Sequence, residues 1–266
     1  MLAIFFGGAP VAAAAELIQP FYSRNLNPFV QLYGLPAAEG ATITPEGRLD
    51  ARLVLDIANN FTNAAAEAET IVIRGETYRT VLALRYGQKK NLELGIDLPS
   101  ISHSRGHLNN FISDWHDTFG LPKGDRDTAP NDQLTYQYGE GGNTMVAVTG
   151  AASGLGDILF SAAVPLWEES GKKQRALALR AAVKAPTGST LKLLGSGSTD
   201  VSLRLNGEDR QTFARAKIAY FGSMGAMLMS ESDVLPNRQR HAVGFGSVGF
   251  GWQPFSWLAL KLQLDG

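Results

Sequence analysis

Residues 258–265 read LALKLQLD, and they alternate without a break. Leu258, Leu260, Leu262 and Leu264 fall on one side, Ala259, Lys261, Gln263 and Asp265 on the other. A period of two predicts a β-strand with one apolar and one polar face. The same pattern recurs back along the chain. Val201, Leu203 and Leu205 oppose Ser202, Arg204 and Asn206; Leu177, Leu179, Ala181 and Val183 oppose Arg180. Ile158, Phe160, Ala162, Val164 and Leu166 form a third such face, and Leu92, Leu94, Ile96 and Leu98 stand against Glu93 and Asp97. Tyr78, Leu82, Leu84 and Tyr86 oppose Arg79 and Arg85, while Leu49, Leu53, Leu55 and Ile57 oppose Asp50, Arg52 and Asp56. Adding residues 212–220 and the glycine-rich stretch 241–250 gives nine candidate strands.

The connections alternate in length. Residues 87–90, 168–171, 207–209 and 253–254 carry turn chemistry, whereas 59–69, 100–154, 185–200 and 222–239 are long. Short turns at one end and long loops at the other are the habit of outer-membrane barrels. Alternation by itself leaves the facing open, because a soluble lipocalin-like barrel would place its leucines inward with the same text. Three features favour the membrane. Strands of about 9–11 residues span a bilayer when tilted. Tyr86, Trp167, Trp252, Phe255 and Trp257 all sit beside short turns, as an interfacial girdle requires. The third is the start of the chain, where Leu2 to Phe6 is apolar and Ala13-Ala14-Ala15 offers a small-residue cleavage pattern. Residues 1–15 therefore read as a signal peptide lacking its basic n-region, and 16–266 as the mature barrel.

Composition agrees with that division. The 266 residues carry 24 Lys and Arg against 25 Asp and Glu, with no cysteine. A disulfide scaffold and a Cys-based zinc site or nucleophile are thereby excluded. Balanced charge gives no footprint for nucleic acid. With the leucines facing lipid, Asp50, Arg52, Asp56, Arg79, Arg85, Glu93, Asp97, Arg180, Arg204, Arg215, Lys217 and Lys261 would line the lumen.

The long stretch 100–154 holds three of the four histidines, His103, His107 and His116, within fourteen residues. Leu108, Phe111, Ile112, Trp115 and Phe119 recur at helical spacing and predict a short amphipathic helix, stopped by Gly120 and Pro122. The histidines could form a metal or substrate site, but their spacing fits no ligand motif, and a packed helix explains them as well. No catalytic, cofactor-binding or metal residue is assigned. Residues 145–156, MVAVTGAASGLG, imitate the nucleotide loop of short-chain dehydrogenases through Gly150, Gly154 and Gly156. Residues 157–166 then alternate like a strand where that fold needs a helix, so the imitation is refused. Gly195-Ser196-Gly197 misses the nucleophile-elbow spacing, and Glu168-Glu169 reads as a solvated turn.

Five blocks occur in order: RNLNPFVQLYGLP (24–36), DIANNF (56–61), GETYR (75–79), LGIDLPSISHSRGHLNNFISDWHDTFGLPKGDR (94–126) and GLGDILF (154–160). Together they resemble an uncharacterised, domain-of-unknown-function family of Gram-negative outer-membrane β-barrels. The resemblance implies a barrel in that membrane and brings no catalytic residues or substrate. Bacterial single-chain barrels have even strand numbers, and nine is odd, so further strands are expected after residue 266. The expectation is thus an all-β protein, an antiparallel transmembrane barrel with a short helix in a long loop. Its partners would be outer-membrane lipid and a small solute in the lumen. Its function would be passive passage, with 100–154 narrowing the opening; the alternatives are a plugged structural barrel or a membrane-embedded enzyme acting on lipid through His103, His107 or His116.

Overall fold

The computed structural model describes residues 18–122, 133–169 and 175–266. The proposed signal peptide, 1–15, lies outside them. The elements in chain order are β1 (Leu49–Ala66), β2 (Glu69–Lys89), β3 (Leu92–Ser104), α1 (Asn109–Phe119), β4 (Thr135–Glu140), β5 (Asn143–Val148), β6 (Ala152–Leu155), β7 (Ile158–Glu168), β8 (Arg175–Ala185), β9 (Asp200–Asp209), β10 (Ile218–Met229), β11 (Ala242–Phe255) and β12 (Leu258–Asp265). All strands join one antiparallel sheet. Its main path, β1-β2-β3-β7-β8-β9-β10-β11-β12, corresponds to the nine expected strands. The hairpin β4–β5 pairs with the first residues of β2, beyond the reach of β3, and β6 pairs with the end of β3.

The apolar sides of the strands are the exposed ones. Leu53, Leu203 and Leu262 are 60%, 52% and 56% exposed, and the alternating apolar residues of every main-path strand lie on the same outer side. The opposite, concave face buries Asp56, Arg79, Glu93, Asp97, Arg180, Lys184, Asp200 and Arg204. Tyr86, Trp167, Trp252, Phe255 and Trp257 are all exposed, and Phe255 stacks on Trp257 at 5.6 Å. They gather at the end of the sheet where its short turns lie.

Four expectations need correction. The sheet does not close: among the described residues no ladder joins β1 to β12. Eight antiparallel steps along the main path leave these two strands running the same way, so they could not pair directly in the antiparallel sense used everywhere else. The supposed loop 59–69 is a hairpin, in which β1 runs on to Ala66 and turns through Glu67, at φ 49°, into β2. Asn59, Asn60 and Thr62 hid this because polar side chains on both faces erase the alternation. The strand predicted over 212–220 starts only at Ile218, so Arg215 and Lys217 sit exposed in the preceding turn instead of facing inward. The insertion 100–154 holds three strands besides the end of β3, although α1 forms as predicted and Gly120, at φ 62°, ends it. Among the described residues no helix is long and apolar enough to cross a membrane.

Candidate functional site

The concave face is filled by residues 18–47, a segment without alternation that enters no regular element. Pro20, Pro28, Pro36 and Pro45 recur along it and deny it the amide donors a strand needs. Asn25 and Asn27 accept from the backbone N–H groups of Asn27 and Phe29, both at 2.9 Å, and fold a local turn. Small residues let the segment lie close against the sheet. A Cβ added to Gly34 would stand 3.0 Å from that of Lys184 and 3.2 Å from that of Asp200.

The segment touches strands from one edge of the sheet to the other. Ile18 packs on Ala219 and Phe221, and Tyr22 on Val54, Val81 and Ala83. Gln19 accepts from Arg52 of β1 through its side chain and from Lys261 of β12 through its carbonyl, at 3.3 and 3.0 Å. Ala41 and Ile43 meet Ala163, Ala176 and Ala178. At the end with the long connections, Leu32 sits under a cap of Ile73, Leu134, Tyr136, Val148, Leu193 and Val234. The insertion thus packs over the segment at that end of the sheet.

Electrostatics fix the middle of the segment. Arg180 of β8 and Arg204 of β9 are direct cross-strand partners, an arrangement that is repulsive unless an anion intervenes. Glu39 is that anion. Its carboxylate lies 3.5 Å from Arg180, 3.1 Å from Arg204 and 2.6 Å from Arg85. Burial opposes its ionisation, yet the guanidiniums of Arg180, Arg85 and Arg204 hold the carboxyl well below the usual carboxylate range. Asp97 takes the other side of Arg85 at 2.6 Å, and Glu93 pairs with Arg180. Further along, Lys184 pairs with Asp157 at 2.8 Å and Asp200 at 3.2 Å, and donates to the Leu32 carbonyl at 3.0 Å. Asp200 also accepts from the Gly34 N–H at 2.6 Å. Beside the segment, against β9–β12, lies a cavity of about 450 Å³ whose polar lining includes Arg24, Arg204, Ser223, Ser247 and Asp265.

Of the residues expected in the lumen, Asp56, Arg79, Glu93, Asp97, Arg180 and Arg204 are buried on the face that residues 18–47 cover. Arg85 is largely so, whereas Asp50 is exposed. The three histidines do not converge. His103 is buried between the Thr77 hydroxyl and the Leu193 carbonyl, each at 3.0 Å, with its ring edge-on to Tyr136. His107 meets Glu76 through its backbone N–H, and the His116 ring contacts the Pro122 carbonyl. No group of three or more His, Asp or Glu able to hold a metal occurs among the described residues. Glu39, Asp157, Lys184 and Asp200 were missed because they fall in no motif. Their available signal was indirect: Arg180 and Arg204, inward on the adjacent strands β8 and β9, need an acid to share.

Residues 5–266 match the family described as "Protein of unknown function (DUF3187)", and the chain belongs to that family. No curated protein matches it.

Proposed function

We propose that this chain is a Gram-negative outer-membrane β-barrel protein, a passive conduit for a small polar solute that is shut by its own residues 18–47. One observation carries the reading, the inverted polarity of the sheet. Leucines exposed around the outside would cost about 25 cal/mol per Å² in water and nothing comparable against acyl chains. The buried charges are tolerable because they pair with one another and with the segment. From Leu49 to Ile57 the apolar face of β1 runs about 26 Å along the strand, which at a tilt of about 40° covers about 20 Å of the roughly 25 Å apolar band typical of such barrels. The aromatic residues at the short-turn end suit a headgroup layer. The outer edges of β1 and β12 would have to gain a ladder partner in the bilayer, since lipid satisfies no backbone N–H or C=O.

Passage would require residues 18–47 to move. The cavity of about 450 Å³ beside the segment would hold the solute, with Arg24, Arg204 and Asp265 presenting both signs of charge. Glu39 would be the latch, because among the described residues it alone joins Arg85, Arg180 and Arg204. Planar-bilayer recording tests this: the wild type should conduct rarely and Glu39→Gln more often. If neither conducts although both insert, the second reading stands, a permanently plugged structural barrel. The buried latch is what favours that alternative. A protein that stays folded and soluble without detergent would sink both.

A further inference from the structure

Helix α1 is attached to the outer side of the sheet. Its starting turn is held by Glu76, whose carboxylate accepts from the N–H groups of His107 and Leu108 at 2.9 and 2.6 Å. The Asn59 side chain donates to Glu76 at 3.1 Å and to Asn109 of the helix at 2.7 Å. Asn59 and Glu76 are cross-strand partners, one row of the outer face beyond Ile57 and Tyr78. The helix therefore begins where the apolar rows of β1 end.

Phe111, Trp115 and Phe119, spaced by four, form one stripe with rings 6.1 and 4.4 Å apart. They are 62%, 50% and 58% exposed, and α1 buries no residue at all. Asn110, Ser113 and Asp117 fall on the opposite side. The four tryptophans divide in a telling way: Trp167, Trp252 and Trp257 sit at the short-turn end, and Trp115 stands alone at the other.

We propose that α1 is an interfacial helix, lying flat in the headgroup layer at the long-connection end with Phe111, Trp115 and Phe119 inserted among the lipids. This rests on the membrane reading above and assigns the lipid contact to a helix that the strands alone would not reveal. Such helices seat their apolar side about 5–10 Å into the boundary between headgroups and acyl chains. The rest of the helix carries Asp114, His116 and Asp117 and no lysine or arginine, so insertion would come from the aromatic rings and not from attraction to anionic lipid.

The chain has no cysteine, so single nitroxide labels can be placed cleanly. The full chain is reconstituted in phosphatidylcholine vesicles as L53C, W115C or D117C, and each label is challenged with oxygen and with a water-soluble nickel chelate. The expected pattern is oxygen-dominated relaxation at 53, a shallower oxygen preference at 115, and nickel dominance at 117. Labels 115 and 117 equally open to nickel, with 53 still in lipid, would overturn the helix assignment and leave the barrel reading intact. Nickel dominance at 53 as well would overturn both. Should W115C fold poorly, a chain with W167F, W252F and W257F keeps Trp115 as its sole tryptophan, excited selectively over the tyrosines. Quenching by brominated lipid would then support the proposal, and its absence would overturn it.

Discussion

Glu39→Gln keeps the size of the side chain and removes one negative charge from the interior. Arg85 then retains Asp97 at 2.6 Å and Arg180 retains Glu93, but Arg204 is left with the Ala37 carbonyl. Arg180 and Arg204 also face each other across β8 and β9 with nothing anionic between them. The side chains concerned are between 4% and 18% exposed, so water screens little of this. Removing one partner from a buried ionic cluster costs about 3–5 kcal/mol, a large part of the roughly 5–15 kcal/mol that stabilises a typical domain. Urea titration in lipid vesicles, read by unboiled gel mobility, should show that loss. Protease should also cut within residues 18–47 at lower urea than it does in the wild type. Pairing Glu39→Gln with Arg204→Met restores neutrality, and the double variant should regain more than half of the deficit. A single variant within about 0.5 kcal/mol of wild type, or a double variant showing the plain sum of both losses, would refute the idea that Glu39 holds the segment.

Acid should be a poor key to the same latch. Because the folded carboxyl of Glu39 lies below its unfolded value, its contribution is full above the usual carboxylate range and fades only as pH falls through the lowered folded value. Protease resistance of 18–47 should therefore persist at pH 5; release there would contradict the clamp. Leu203→Arg places a charge on the outer face and should cost about 2–4 kcal/mol if that face meets mid-bilayer, whereas a water-facing site would barely notice; folding yield into vesicles decides. Lys184→Met would leave Asp157 and Asp200 without their shared cation and should cost about 3–5 kcal/mol in the same urea assay. Gly87→Ala would bring a methyl group within 2.1 Å of the Pro45 carbonyl oxygen, displacing residues 44–48 where the segment leaves the interior. A loss of about 1–3 kcal/mol is expected, and unchanged stability would show that this exit is loose.

Eight of the nine main strands were legible because each must sort its side chains between two unlike surroundings, and a period of two records that sorting; β10, expected over 212–220, begins only at Ile218. Where polar side chains fall on both faces the record vanishes, as at Asn59, Asn60 and Thr62, and the strand continues unseen to Ala66. The short strands β4–β6 were lost for a related reason, because six residues or fewer between glycines leave too little text to show a period. The filled interior was the larger omission. No rule of alternation or capping singles out Glu39, and the turn-rich stretch around it reads as an ordinary loop. Yet the strands themselves required such a residue. Once register sets Arg180 beside Arg204, with Arg85 joined to the same carboxylate, the sheet cannot bury that face without a borrowed anion. The anion that Arg204 lacks among the strands is supplied by the segment packed on them, so the fold of the sheet and the placing of residues 18–47 are one electrostatic problem.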